Sequence, residues 1–424
     1  MQRRMLILGA LGAGAAVAWW KKPRDHGAPY EPYFRALNEE LKQHGPMRPC
    51  MVIDLDRLDH NIDLVAGTLR RAGKHYRIVE KSLPCQKLIA YVAQRAATQR
   101  LMSFHQPFLN LDALSFPNFD VLLGKPVPVG SAALFYRDLR AGGFDPARQL
   151  QWLFDTPQRL RQYLELAQGL GTRLRANIEI DVGLHRGGVQ DNATLGEMLD
   201  LIAAHPQQLE LSGFMGYDAH VGMGVPSILG SATELLDRAM AVYRGFTDHA
   251  RSHRSRLWRS DLTLNAGGSP SYTLHPRENL SSEISVGTAL LKPSHYDLPT
   301  LSAHVPAAFI ATPVIKALGP VRLPALDGKS KLFSWWDPNQ RATFFIYGGW
   351  WRADYESPKG LQFFEAFGHS ANQEGITASP AVRLAVDDQV FLRPQISESV
   401  LLELGDLLAV RAGRIVDRWP VFQQ

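Results

Sequence analysis

Lys81 closes a short apolar run and precedes Pro84 in RIVEKSLPCQKL, so it stands where a strand gives way to a turn. An amine there is either a solvated charge or a nucleophile toward a carbonyl carbon. Three later turns also follow strand-like runs and carry groups of chemical use. IEIDVGLHRGGV delivers His185 and Arg186 into a glycine-flanked loop, with Asp181 upstream as the partner that a purely structural arginine would use. GFMGYDAHVGMG places Tyr217 and His220 after a strand, where backbone could equally satisfy the histidine. LNAGGSPSY has Gly267 and Gly268, which let backbone amides approach a ligand, followed by the hydroxyls of Ser269, Ser271 and Tyr272. That donor-rich mixture suits a phosphate. Taken alone it reads equally as a plain strand-to-helix turn, being neither a Walker loop nor a GxGxxG fingerprint. His249 and His253 share a helix face at i, i+4, but no HExxH carboxylate accompanies them, and Arg251, Arg254 and Arg256 make an exposed basic face the simpler reading.

These turns need elements to hold them. From about residue 50, short β-like runs alternate with longer helical stretches, the pattern of a parallel α/β architecture. Eight strands are expected, at 76–80, 101–104, 120–123, 151–154, 174–181, 210–216, 262–265 and 283–290, with helices between them such as 57–72, 86–97, 157–168, 195–204 and 233–252. Asp155 and Thr156 before Pro157 supply an N-cap and a proline at the first helical position. Eight strands suit a (β/α)8 TIM-type barrel, with an open doubly wound sheet as the rival. In a barrel, chemistry collects at the C-terminal strand ends, which directs attention to Lys81, His105, Lys125, Asp155, 181–186, 217–220 and 265–272. After about residue 296 the texture becomes mostly β, in FFIYGGWW, VFLRP and DLLAVRAGRIVDRW, the last a hairpin turning at Ala412 and Gly413. The expected division is a targeting segment or membrane anchor at 1–24, a linker with one short helix at 25–47, the barrel at 48–295 and a C-terminal mostly-β domain at 296–424.

Composition narrows the function classes. The chain has 424 residues, 45% of them hydrophobic, enough to bury the core of an enzyme-sized protein. Its net charge of +5 comes from Arg3, Arg4, Lys21, Lys22 and Arg24; beyond these, 41 basic residues face 41 acidic ones, which removes the electrostatic argument for nucleic-acid binding. Cys50 and Cys85 are the only cysteines, so there is no disulfide framework and no CxxC motif. The opening MQRRMLILGALGAGAAVAWWKKPRD carries a twin arginine, an apolar run at 5–20 and small residues at Ala16 and Ala18. It reads as a twin-arginine-like signal for export to the periplasm, or as an anchor retained at the inner membrane, since Trp19, Trp20, Lys21 and Lys22 also suit an interface. The run is short against the ~20 residues of a comfortable span.

The order of motifs says more than any one of them. PCMVIDLDRLDHNI, RIVEKSLPC, IEIDVGLHRGGV, GYDAH, NAGGSPSY and GRIVDRWPV, in this succession from about Arg48 onward, resemble the fold-type III pyridoxal-phosphate enzymes of the D-serine dehydratase and D-threonine aldolase family, with alanine racemase a more distant relative. The resemblance implies a barrel that binds pyridoxal 5'-phosphate, a β domain that helps close the site, and a homodimer acting on a small amino acid. It puts Lys81 on the lysine that holds the cofactor as a Schiff base, with Arg77 and Cys85 four residues either side. Gly267, Gly268, Ser269, Ser271 and Tyr272 fall on the phosphate cup, Arg186 and Tyr217 face the cofactor ring, and His220 lies close by as a catalytic candidate.

Two departures bear on the reaction. Val79 stands where the family commonly has a histidine. The family's lyases also hold a divalent metal through a histidine and a cysteine or aspartate in the β domain, whereas RPQISESV places Ile396 and Glu398 at the corresponding positions. No metal ligands are therefore assigned. The expected activity is a lyase of D- or β-hydroxy amino acids working without that metal, with His220, His185 or Glu398 as its acid. An amino-acid racemase, or a cofactor-binding protein without turnover, would use the same cofactor site.

Overall fold

The computed structural model describes residues 22–224, 228, 230–326 and 330–423. Nearly all of the expected targeting segment, 1–24, lies outside the described residues. The chain forms two compact units, and neither is one continuous stretch.

Strand β1 (Cys50–Asp54) opens the sheet of one unit, and the next eight strands close the barrel of the other. These are β2 (His75–Val79), β3 (Arg100–Ser103), β4 (Asp120–Leu123), β5 (Leu150–Phe154), β6 (Leu174–Glu179), β7 (Leu209–Gly216), β8 (Thr263–Ala266) and β9 (Glu283–Val286). All pair in parallel, and β9 returns to β2 with Tyr76 opposite Ile284, so the sheet closes and has no edges. The expected strands and helices fall where the sequence pattern puts them. Local chemistry sets the helix ends: Thr156 accepts from the Arg159 amide ahead of helix Pro157–Leu170, and Ser231 with Glu234 forms a capping box on Ala232–His253.

The barrel interior is partly polar. Arg77, fully buried on β2, donates from Nε to Glu283 Oε1 at 2.6 Å and from Nη2 to Asp120 Oδ1 at 2.6 Å. Arg175 reaches Asp120 Oδ2 at 2.9 Å, and Asn265 donates to Glu283 at 2.8 Å. Burial would raise the Asp120 carboxyl, but Arg77 and Arg175 outweigh it and hold it down at about 2. Arg77 is thus committed to tying β2, β4 and β9 together.

The barrel unit comprises Ile53–Ala308, Gln395–Leu407 and the residues from Arg418 onward. Its boundary with the β unit lies at 308/309, beyond the expected 295/296, and two later segments of the chain return to it. The second of these fastens close to Lys81: the Phe422 amide donates to the Pro84 carbonyl at 3.0 Å, and the Phe422 ring contacts Phe108 with centroids 4.8 Å apart.

The other unit is built on a nine-stranded sheet. It adds β10 (Ala308–Leu318), β11 (Ala342–Tyr347), β12 (Ala353–Ser357), β13 (Gln362–Phe363), β14 (Gln373–Ala378), β15 (Gln389–Pro394), β16 (Leu407–Arg411) and β17 (Arg414–Trp419) to β1. The expected hairpin joins β16 to β17 through Ala412 and Gly413, both with positive φ, as its tight turn requires. The stretch expected as a linker contributes helix Pro32–His44, whose Phe34, Leu37 and Leu41 bury themselves with Phe309 and Phe391 in this unit's core.

Candidate active site

The C-terminal ends of the barrel strands converge on a cavity of about 550 Å³, counted to its open mouth. The tight turn Glu80–Ser82, directly after β2, lifts Lys81 into the cavity wall, where its side chain is 48% exposed. Its Nζ lies 5.2 Å from the centre of the Phe104 ring and 3.5 Å from Glu398 Oε1. The same carboxylate oxygen accepts from Ser82 Oγ at 2.9 Å, and Ser82 Oγ is 2.9 Å from Thr288 Oγ1. Glu80 turns the other way and is fully buried. Burial first, and then the Asp112 carboxylate, push its carboxyl well above the usual range; burial likewise raises Asp112 to about 7.

Backbone forms the facing wall. Gly267 has φ +73, and a Cβ there would stand 2.7 Å from Ile284 Cγ2; at Gly268 it would meet the Tyr217 ring at 2.7 Å. Only glycine fits, and the main chain itself meets the cavity. The amides of Ser269 and Thr288, also in the wall, donate to no acceptor among the described residues. Beneath lies a buried relay. The Gly268 amide donates to Ser271 Oγ at 3.2 Å, Ser271 donates to Asp218 Oδ1 at 2.5 Å, and Asp218 Oδ2 lies 2.8 Å from His275 Nε2. His275 Nδ1 is 3.2 Å from Glu278, which also takes a 2.6 Å bond from Lys74. Burial alone would depress His275, but Asp218 and Glu278 outweigh it and raise the imidazole to about 9.

The loop after β6 is organised by Asp181, which accepts from the amides of Gly183 and His185 and pairs with the His185 ring at 2.9 Å. Asp181 is therefore occupied by its own loop, and Arg186 makes no ion pair among the described residues; its guanidinium lies 4.8 Å from the centre of the Tyr217 ring. Burial raises the phenols of Tyr217 and Tyr296, so both wall tyrosines keep their protons at neutral pH.

Residues 53–294, the barrel with its strand-end turns, match the family model of the alanine racemase N-terminal domain. The chain belongs to that family. Solved structures with the same fold include the D-threonine aldolase from Filomicrobium marinum, with a TM-score of 0.66 at 14% identity over 88% of this chain and 96% of that one. The D-threo-3-hydroxyaspartate dehydratase from Delftia sp. HT23 gives 0.66 at 15% identity over 89% and 97%, and the alanine racemase from Bacillus anthracis gives 0.66 at 14% identity over 88% and 97%. Identities this low speak to fold alone. A search of curated proteins finds no match.

Within this alanine racemase-type barrel, Lys81, Arg186, Tyr217, Gly267, Gly268 and Ser269 share one cavity wall. Ser271 and Tyr272 do not reach it: Ser271 belongs to the relay behind the glycines, and the Tyr272 hydroxyl is 2.6 Å from His304 Nε2. His220 is also outside the wall, facing the loop backbone at Gly183, and burial lowers its pKa. Phe104 and Gly124 line the cavity where attention had fallen on their neighbours His105 and Lys125. Asn265, Ser285, Thr288 and Tyr296 also line the wall, and of these four only Asn265 lies in a segment marked by the strand-end rule. Glu398 belongs to the returning segment Gln395–Leu407, which brings this one carboxylate to Lys81. Ile396 has no donor atom, and the described residues contain no group of three His, Cys, Asp or Glu side chains able to hold a metal ion.

Proposed function

We propose that the chain is a pyridoxal 5'-phosphate-dependent lyase acting on a D-configured or β-hydroxy amino acid. The observation that carries this reading is the Lys81 amine, 3.5 Å from the Glu398 carboxylate, at a glycine-walled cavity of an alanine racemase-type barrel. The residues fit the cofactor: an amine to hold its aldehyde carbon, amides at Ser269 and Thr288 for its phosphate, and Arg186 with Tyr217 for its ring. When bound, the cofactor supplies an electron sink for the carbanion formed at Cα of the amino acid.

The chain's own residues do the rest. Lys81 Nζ takes the Cα proton and passes it to the Glu398 carboxylate 3.5 Å away, and Glu398 gives it to the β-hydroxyl as it leaves as water. In the aldol alternative, Glu398 takes the β-hydroxyl proton while the Cα–Cβ bond breaks. Racemisation would instead need a second base on the opposite face of the cofactor. With one carboxylate in place of a ligand pair, the proposed chemistry does not call on a divalent metal. Members of the family are often dimeric, and we assign a homodimer to this chain.

A panel of D- and L-amino acids, with detection of keto acids and aldehydes, tests the reading. A keto acid or aldehyde from a 3-hydroxy amino acid is expected. Solvent deuterium entering Cα without either product would replace the lyase by a racemase, and cofactor binding with no response to any amino acid would leave a binding protein.

A further inference from the structure

The apolar run at 5–20 ends in Trp19 and Trp20 and is followed by Lys21 and Lys22, and the first described residues after it are fastened in place. Asn339, buried, donates from Nδ2 to the Arg24 carbonyl at 2.7 Å and accepts from the His26 amide at 3.0 Å. Asn339 lies in the turn Pro338–Gln340, directly after helix Ser330–Trp336. The clamp therefore delivers the chain's exit point to this helix: Lys22 Nζ stands 5.7 Å from the centre of the Trp335 ring, and Pro23 shares a groove with Phe333. The helix buries Ser334, whose carbonyl accepts from Arg341 Nε at 2.9 Å, and leaves Leu332, Phe333 and Trp335 exposed by 65%, 47% and 63%.

Three large apolar side chains in water on a seven-residue helix are costly unless something covers them. Tryptophan beside lysine is the pairing that settles at lipid headgroups, the ring at the interface and the amine toward phosphate. A bilayer is the occupant that also explains the neighbouring apolar run, because a segment entering lipid at residue 20 forces this face to within a few residues of the headgroups. We infer that Leu332, Phe333 and Trp335, with Lys22, form a membrane-contact surface that seats this unit on a bilayer holding the run 5–20.

The test uses the full-length chain carrying Leu332→Cys labelled with a polarity-sensitive dye, since Cys50 and Cys85 are both buried. It is mixed with vesicles of phosphatidylcholine and phosphatidylglycerol. The dye is expected to brighten severalfold and shift to shorter wavelength. Adding Trp335→Glu should abolish the shift while the protein still floats with the vesicles. Three results would overturn the inference: a water-like dye at position 332 on vesicle-bound protein, no vesicle binding by the full chain, or a shift already present without lipid. The last would show the patch covered by the run itself or by a second copy.

Discussion

Asp218 Oδ2 and His275 Nε2 lie 2.8 Å apart with no solvent exposure on either side chain, and through Ser271 the pair fixes the amide of Gly268. The His275 imidazole titrates near 9 in the folded chain against 6.5 when free. A raised folded pKa contributes stability that is complete below pH 6.5 and is lost as pH rises through about 9. Melting temperature should therefore fall across this window, by the equivalent of up to about 3 kcal/mol. His275→Gln should melt lower at pH 6 and lack the decline. An identical pH profile in both proteins would refute the charged pair.

Lys81→Ala removes the amine without touching a core contact, because the side chain is half exposed. The variant should melt like wild type but fail to develop the visible absorbance band that pyridoxal phosphate acquires when held by a lysine. A band that persists would move the anchor to another amine.

Glu398→Gln keeps the size of the side chain and its bond to Ser82 while deleting the proton it would carry. With cofactor binding retained, kcat should fall by roughly 10²–10⁴, the usual worth of a positioned acid or base. The split between an intact cofactor spectrum and lost turnover is the informative readout. Turnover within a factor of two of wild type would remove Glu398 from the chemistry.

Arg77 should matter for stability more than for turnover. Arg77→Met removes the buried cation that the buried Glu283 and the partly buried Asp120 share, leaving Arg100 and Arg175 as their remaining partners, which should cost about 3 kcal/mol in urea unfolding. An effect below 1 kcal/mol would mean that the interior rearranges or hydrates.

Chelation offers a separate check on the reaction. Exhaustive dialysis against a chelator should leave activity unchanged, and metal analysis should find less than one divalent ion per chain. Activity restored by added zinc or manganese would show that Glu398 has ligand partners after all.

Much of the barrel is legible in the sequence because its strands, such as Asp120–Leu123 and Leu150–Phe154, are short buried runs between helices with their own caps. Closure is legible only as a count of eight. At the site, Gly267 and Gly268 are readable because close backbone approach leaves a local signature, and Lys81 because it ends a strand before a proline. Phe104 and Gly124 are not, since the titratable neighbour draws the eye one residue too far. Tyr296 and Glu398 meet Lys81's surroundings from more than 200 residues away, a distance over which local patterning carries no information. Asp218 stands in plain sight inside GYDAH, but its importance depends on His275, which no spacing rule connects to it.

The returning segments also set a clock. Translation delivers all eight barrel strands by Val286, yet Glu398 and the Phe422 bond to Pro84 exist only once more than a hundred further residues have been added. A nascent chain has its lysine early and its acid late. A barrel truncated at Ala308 would retain the amine and the glycine wall but lack the carboxylate beside them, so the proposed catalyst would switch on only after the segment Gln395–Leu407 has been made and has returned to the barrel.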